Sequence, residues 1–272
     1  MLGYRDTFKD RTLKWILSQT SRIQTPQRAG ASGLILGHRG FQQHAPENTI
    51  QACLDALAAG AHGVEIDVKC SLDGVPVVFH DATLKRLVGR QGEVARLSLS
   101  QLQAVSLLGG TSKWSDTIST LEEFLHHMPS GATVNIEIKD FPERYHRFEQ
   151  KVIALMSEHQ HRLSYIISSF DLRSLFKMRQ LGVQFPLGLL LASDQIWFLK
   201  YGLAIPFLKP EAVHPHFSMV DQELINIVHD RGMRIHVWTV NDVDRAERLL
   251  EMGVDALITD NTLQMTENAL MS

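Results

Sequence analysis

Cysteine is scarce: Cys53 and Cys70 are the only two in 272 residues. That excludes a disulfide framework and fits a reducing compartment, with one bridge left open. No run reaches the roughly 18–20 continuous apolar residues that span a bilayer. The longest apolar stretch, Ile196 to Leu208, is broken by Lys200, Gly202 and Pro206. Charge of one sign is missing too. Twenty-seven Lys and Arg stand against 30 Asp and Glu, for a net charge of −3, which offers no basic field to nucleic acid. The charged N-terminus (Arg5, Asp6, Lys9, Asp10, Arg11) is followed by no apolar core with a small-residue cleavage site, so a cytoplasmic protein is expected. Residue-level repeats and Cys/His zinc spacings are likewise absent. The remainder, 44% hydrophobic and 21% charged, suits one large α/β domain or two small ones.

Residues 1–30 differ from the rest. Arg5, Lys9, Arg11, Lys14, Arg22 and Arg28 surround a short apolar cluster, Leu13, Trp15, Ile16 and Leu17. Leu13, Ile16 and Leu17 share a helical face. Two readings stand: a helix packed on the domain, or a weak membrane-surface contact through residues 1–28. From residue 31 to 272 the chain reads as a single domain with a repeating grammar of strand, helix, glycine, strand. Strands are expected at Leu34–Gly37, Gly63–Asp67, Thr133–Ile138, Tyr165–Ser168, Leu187–Leu191, Glu211–His214, Arg234–Thr239 and Ala256–Thr259. The first helix is expected to use Pro46 in its opening turn and to stop at Gly60. Later helices end at Gly182, Gly232 and Gly253. Eight parallel strands with intervening helices predict a (β/α)8 TIM barrel. A doubly wound sheet is the alternative, but no glycine-rich dinucleotide loop follows the first strand. Ser71-Leu72-Asp73-Gly74 reads as a hairpin turn with Val75–Phe79 returning. Residues 82–118 then lose the grammar, which predicts a small insertion subdomain after the second barrel strand, over the C-terminal face.

The chemistry lies where strands break the apolar rule. Glu65 and Asp67 are spaced i, i+2 and share one side of a strand, as do Glu137 and Lys139. Val64, Ile66, Val68, Ile136 and Ile138 take the opposite face, so the charges face the lumen or its mouth. Three converging carboxylates repel one another, and a divalent cation relieves that. All-oxygen ligands select Mg2+, Ca2+ or Mn2+. A salt-bridged network, Lys139 with Glu137 and Arg39 with Glu65, is the competing reading. His38 ends the first strand and His80 ends the returning hairpin strand. Two histidines at strand ends suit a general acid and a general base. Arg39 and Lys139 beside a cation make a site for a dense anion, phosphate first. Glu47 and Asn48 read mainly as helix-start residues, with a contact to His38 or the cation as the alternative. Asp81 reads equally as an orienting or a turn residue. His214 and His216 would line the mouth or simply sit in a polar loop. His126, His127, His146, His159, His161 and His229 fall on expected helices or loops, where a solvated face is the default.

The ordered motifs resemble the glycerophosphodiester phosphodiesterase family. They are Gly37-His38-Arg39-Gly40, Ala45-Pro46-Glu47-Asn48-Thr49, Gly63-Val64-Glu65-Ile66-Asp67-Val68, the Asp73-Gly74 turn, Pro76-Val77-Val78-Phe79-His80-Asp81 and Asn135-Ile136-Glu137-Ile138-Lys139. Late in the chain come Val237-Trp238-Thr239-Val240-Asn241 and Gly253-Val254-Asp255-Ala256-Leu257-Ile258-Thr259-Asp260. The resemblance covers about residues 34–262, and the order of motifs is more specific than any one of them. It implies a barrel with an inserted subdomain that hydrolyses glycerophosphodiesters to sn-glycerol 3-phosphate and an alcohol with one divalent cation. It also implies His38 and His80 as the acid–base pair, Glu65, Asp67 and Glu137 as cation ligands, and Arg39 and Lys139 as phosphate contacts. Trp238, and more weakly Phe170, are implied as aromatics on the substrate side, with packing as the alternative. The nucleophile is either water or a glycerol hydroxyl. The expected partner is therefore a small glycerophosphodiester, not nucleic acid. Two other readings stand beside it: a membrane-associated lysophospholipase D, motivated by residues 1–28 and Ile196-Trp197-Phe198-Leu199, and a catalytically inactive phosphate-binding barrel.

Overall fold

A computed structural model describes residues 33–109, 117–139, 147–192 and 205–269, together with Lys14, Leu17 and Ser18. Strand β1 (Leu34–His38) leads through a tight loop to helix α1 (Ile50–Ala58), then β2 (Gly63–Cys70) turns back into β3 (Pro76–Val78). Next come α2 (Lys85–Val88), a 3-10 turn (Val94–Arg96), α3 (Leu99–Gln103) and α4 (Leu121–His127). The remaining order is β4 (Thr133–Ile138), α5 (Phe148–His159), β5 (Ser164–Ser169), α6 (Leu172–Gln180), β6 (Leu187–Leu191) and α7 (Ile205–Leu208). It continues with β7 (Ala212–Pro215), α8 (Gln222–Asp230), β8 (Arg234–Val237), α9 (Val243–Glu251), β9 (Ala256–Thr259) and α10 (Thr262–Ala269). Strand β1 pairs in parallel with both β2 and β9, so eight parallel strands close into a barrel, and β3 adds antiparallel to β2.

Side-chain parity builds the layers. Outward residues Val64, Ile66, Val68, Val134, Ile136 and Ile138 join Leu121, Phe124, Phe148 and Val152 in one buried apolar cluster between barrel and helices. The helix starts are fixed by side-chain caps: Asp171, Asp221 and Asp242 each accept a backbone N–H from the first turns of α6, α8 and α9. One expectation fails here. Pro46 does not open the first helix; Thr49 is its N-cap, accepting from the Ala52 N–H. The reason is Asn48, whose φ of 60° belongs to the left-handed region and holds residues before it in a turn. That turn carries Glu47 and Asn48 towards the barrel mouth.

The stretch after β3 has a small core of its own. Leu84, Val88, Val94, Leu102, Val105 and Leu107 are buried together with Phe79 and Ile118. Residues 110–116 of the expected insertion lie outside the described residues. So do Trp15, Ile16 and most of residues 1–30, and the run from Ile196 to Leu199. Leu17 is fully buried in the main apolar cluster. The Lys14 ammonium pairs with Asp221 at 2.5 Å and Glu223 at 2.7 Å, at the start of α8. Among the described residues no helix is long and apolar enough to cross a membrane.

Two histidines fill part of the lumen. His214 on β7 and His236 on β8 are both buried, and His236 Nδ1 lies 3.0 Å from His214 Nε2. A β-carbon on Gly188 of β6 would run into the His214 ring, so glycine makes the room. His214 is therefore a barrel-filling residue, not a loop residue, whereas His216 sits half-buried outside. Burial pushes both imidazoles down, His214 well below its ordinary value and His236 to about 4. An unfolded histidine binds its proton near pH 6.5. Stability from this pair is therefore complete above about pH 6.5 and lost as pH falls towards 4, by about 3 kcal/mol for His236. Histidine NMR should show two rings still neutral at pH 5.5, and the denaturation midpoint should drop between pH 7 and 5. Titration of all rings near pH 6.5 would contradict this.

Candidate active site

The loops at the C-terminal ends of the strands enclose a cavity of about 200 Å3. It is lined by His38, Arg39, Glu65, His80, Asn135, Glu137, Lys139, Ser168, Phe170 and Trp238 among others. Eight of the nine residues singled out from the sequence line it; the ninth, Asp67, lies fully buried directly beside them.

Strand register brings the acids together. Glu65 follows His38 across the β1–β2 pairing, and Asp67 stands opposite Glu137 across β2–β4. One oxygen from each of Glu65, Asp67 and Glu137 lies within 4.8 Å of the others. Both oxygens of Glu65 are buried without a hydrogen-bond partner, an arrangement costly for a carboxylate unless a cation faces it. Burial pushes the Glu65 carboxyl well above the usual range, and the charges of Asp67 and Glu137 push it further. Burial raises Glu137 as well, against the pull of Lys139. Asp67 goes the other way. Burial would raise it, but Lys139 and Arg39 hold it below the usual range.

The nearby cations are placed by local backbone. Arg39 has φ 58°, a left-handed residue that turns the chain sharply after β1. Its Nη1 donates to Glu47 Oε1 at 2.8 Å, and its Nε stands 3.0 Å from Asp67 Oδ2, off the hydrogen-bond direction. Lys139 donates to Glu137 at 2.7 Å and lies 3.2 Å from Asp67 Oδ1. Burial pulls its ammonium down, but Glu137 and Asp67 more than offset this and set it at about 12. The salt-bridged network thus exists in part, with Arg39 paired to Asp67 and Glu47 and not to Glu65. Three carboxylates still face only two cations. The all-oxygen set, the orphaned Glu65 oxygens and this charge shortfall fit a divalent cation.

Each candidate histidine has a carboxylate behind it. His38 Nδ1 lies 2.6 Å from Asp260 Oδ1, at the end of β9. His80 Nδ1 lies 2.7 Å from Asp81 Oδ1. A carboxylate only accepts, so each ring carries its proton on Nδ1 and offers Nε2 to the cavity. Hydrogen bonds from Arg86, outweighing burial, hold Asp81 well below the usual carboxylate range. Burial would raise Asp260, but its bond to His38 keeps it low. Asn241 donates to Asp260 Oδ2 at 2.7 Å and accepts its backbone N–H at 2.9 Å. Burial pushes His80 below its ordinary value against the pull of Asp67, so the ring is neutral at pH 7.

The opposite wall is aromatic. Trp238 Nε1 donates to the His214 carbonyl at 2.7 Å, which pins the indole. Phe170 meets it edge-on at 5.5 Å, and His216 packs on its other side at 5.2 Å. Trp238 and Phe170 thus both pack and line the cavity.

Several partners escaped the sequence reading. Asn48 is a clamp on Asp67 and not a helix cap: its Nδ2 donates to Asp67 Oδ2 at 2.7 Å and its Oδ1 accepts the Asp67 N–H at 3.0 Å. Asp81 did not escape: of the two roles read for it, its 2.7 Å contact with His80 Nδ1 matches the orienting one. Asp260 and Asn241 carried a signal, since they follow strands on the C-terminal face, but no role was read for them. Arg86, bridging Asp81 and Glu47 at 2.7–2.8 Å, carried none.

The chain is similar to known proteins over most of its length. The glycerophosphodiester phosphodiesterase of Caldanaerobacter subterraneus subsp. tengcongensis is 32% identical over 236 residues, covering 84% of this chain and 94% of that protein. That of Bacillus altitudinis is 31% identical over 232 residues, 83% and 94%. An Oleispira antarctica phosphodiesterase, solved with its product sn-glycerol-3-phosphate, superposes with a TM-score of 0.77 at 25% identity, covering 89% of this chain and 98% of that one. The sequence model of the glycerophosphoryl diester phosphodiesterase family matches residues 38–264, from the first strand-end histidine to the last helix, and the chain belongs to that family.

Proposed function

We propose that the cavity hydrolyses small glycerophosphodiesters to sn-glycerol 3-phosphate and an alcohol, with His38 and His80 as the acid–base pair. The observation that carries this is the cluster of Glu65, Asp67 and Glu137 in one cavity with two carboxylate-backed imidazoles. The product bound in the Oleispira relative supports the substrate class.

Glu65, Asp67 and Glu137 would hold a Mg2+, Ca2+ or Mn2+ ion, which supplies positive charge for a phosphate oxygen. Arg39 and Lys139 bind the phosphodiester anion and steady the charge that grows on its oxygens. One imidazole takes the proton from the attacking oxygen at its Nε2. The other gives a proton to the departing alkoxide as the P–O bond to the alcohol breaks. Net, one water is consumed, and the pair is restored by exchanging a single proton. Asp260 and Asp81 keep each ring in the tautomer that presents Nε2, and stabilise it when it is protonated. Phe170 and Trp238 form an apolar wall for the carbon skeleton. Small polar substrates and a cysteine content of two, both buried, support a cytoplasmic enzyme.

Glycerophosphocholine hydrolysis should release sn-glycerol 3-phosphate at a rate that a chelator abolishes and added Mg2+, Mn2+ or Ca2+ restores. Turnover unaffected by thorough chelation would overturn the cation-dependent reading. His38→Ala and His80→Ala should each lower kcat by about 10²–10⁴-fold while leaving the circular dichroism spectrum unchanged. A variant with full activity would remove that histidine from the mechanism.

A further inference from the structure

We infer that Arg86, on the short helix α2, is a positioning residue of the hydrolytic site: its one guanidinium fastens the carboxylate behind His80 to the carboxylate behind Arg39. The inference rests on the hydrolytic reading above and extends it to the segment after β3.

The geometry is a fork closed on two acids. Nε donates to Asp81 Oδ2 at 2.8 Å and Nη2 to Asp81 Oδ1 at 2.8 Å. Nη2 also donates to Glu47 Oε1 at 2.7 Å, and Nη1 to Glu47 Oε2 at 2.7 Å. Four of the five guanidinium N–H bonds are thus spent on two carboxylates. The two oxygens that share Nη2 are the ones facing the site. Asp81 Oδ1 accepts from His80 Nδ1, and Glu47 Oε1 accepts from Arg39 Nη1. A continuous chain runs from His80 through Asp81, Arg86 and Glu47 to Arg39, and from Arg39 Nε to Asp67.

Three facts separate this from an ordinary surface ion pair. A planar fork sets the distance and angle between two carboxylates, which a lysine ammonium does not. Glu47 is buried and its carboxyl is held low, burial being outweighed by the bonds from Arg86 and Arg39. The arm is also rigidly delivered: Leu84 and Val88 of the same segment are buried in the small core with Val94 and Leu102. The backbone of Leu84 and Val94 is tied to Gly92 and Ala82. Because the Arg86 side chain is half exposed, its bare charge is screened and contributes little by itself. Its effect is geometric, keeping the His80 Nε2 and the Arg39 guanidinium in register with each other.

The test compares wild type with Arg86→Ala and Arg86→Lys in saturating divalent cation, using glycerophosphocholine as substrate. Arg86→Ala should lower kcat about 10–100-fold, the range for losing a partner that orients a reacting group. Its thermal midpoint should stay close to wild type. Free methylguanidinium should restore part of the lost kcat in Arg86→Ala and none in Asp81→Ala. Arg86→Lys should recover less than guanidinium does. In parallel, 15N-histidine NMR should show the His80 ring losing its preference for the Nδ1–H tautomer in Arg86→Ala, a readout that needs no turnover. Wild-type kcat in Arg86→Ala, or an unchanged His80 tautomer, overturns the inference. A kcat loss that tracks unfolding and ignores guanidinium overturns it as well. If wild type itself hydrolyses nothing, the hydrolytic reading fails, and the tautomer measurement still decides whether Arg86 orients His80.

Discussion

Mutual repulsion among three buried carboxylates organises this molecule. With ligand oxygens within 4.8 Å of each other, each pair of ionised groups costs on the order of 3 kcal/mol at an effective dielectric near 20. Nothing in an apolar barrel interior offsets that, so compensating groups must be built around the acids. Lys139 arrives two residues after Glu137 on the same strand face. Arg39 is swung in by a left-handed turn, and Asn48 by a second one nine residues further on; the loop 39–48 is stitched by the Asn48 N–H to the Arg39 carbonyl at 2.9 Å. Both residues hold φ near 60°, a conformation that costs an arginine roughly 1 kcal/mol and an asparagine less. Backbone strain is accepted where it places a guanidinium and an amide against Asp67.

The site is also two-sided. Charged groups from β1, β2 and β4 occupy one wall, while Phe170 and Trp238, following β5 and β8, occupy the other. A phosphodiester with a carbon skeleton is amphiphilic in the same sense, anionic at phosphorus and apolar along its methylenes. The indole is held by the carbonyl of His214, and the His214 ring is in turn packed against His236 and Gly188. The aromatic wall therefore rests on a buried pair of imidazoles, kept uncharged by the burial that lets them fill the lumen.

Most of this architecture was legible because strand chemistry is local. Alternation placed Glu65 and Asp67 on the lumen side and Val64, Ile66 and Val68 under the helices. The glycines after α6, α8 and α9 marked the helix ends, with Gly182, Gly232 and Gly253 all at positive φ. What stayed hidden depends on contacts across the chain or on unusual dihedrals. The first helix begins four residues beyond Pro46 because Asn48 is left-handed, which asparagine permits but does not announce. Asp260 reaches His38 across 222 positions. Arg86 reaches Glu47 across 39, and its segment has no periodicity from which a direction could be read. Ionic partners of this kind become visible only once the backbone is closed.

The bond between His38 and Asp260 joins the first barrel strand to the last. One of the two carboxylate-backed imidazoles is therefore completed only across the closing seam of the barrel. Parting β1 from β9 would separate His38 from Asp260 while Glu65, Asp67 and Glu137 stay on the paired strands β2 and β4. Opening the barrel at this seam would therefore cost the His38 ring its orienting carboxylate before it disturbed the grouping of the acids.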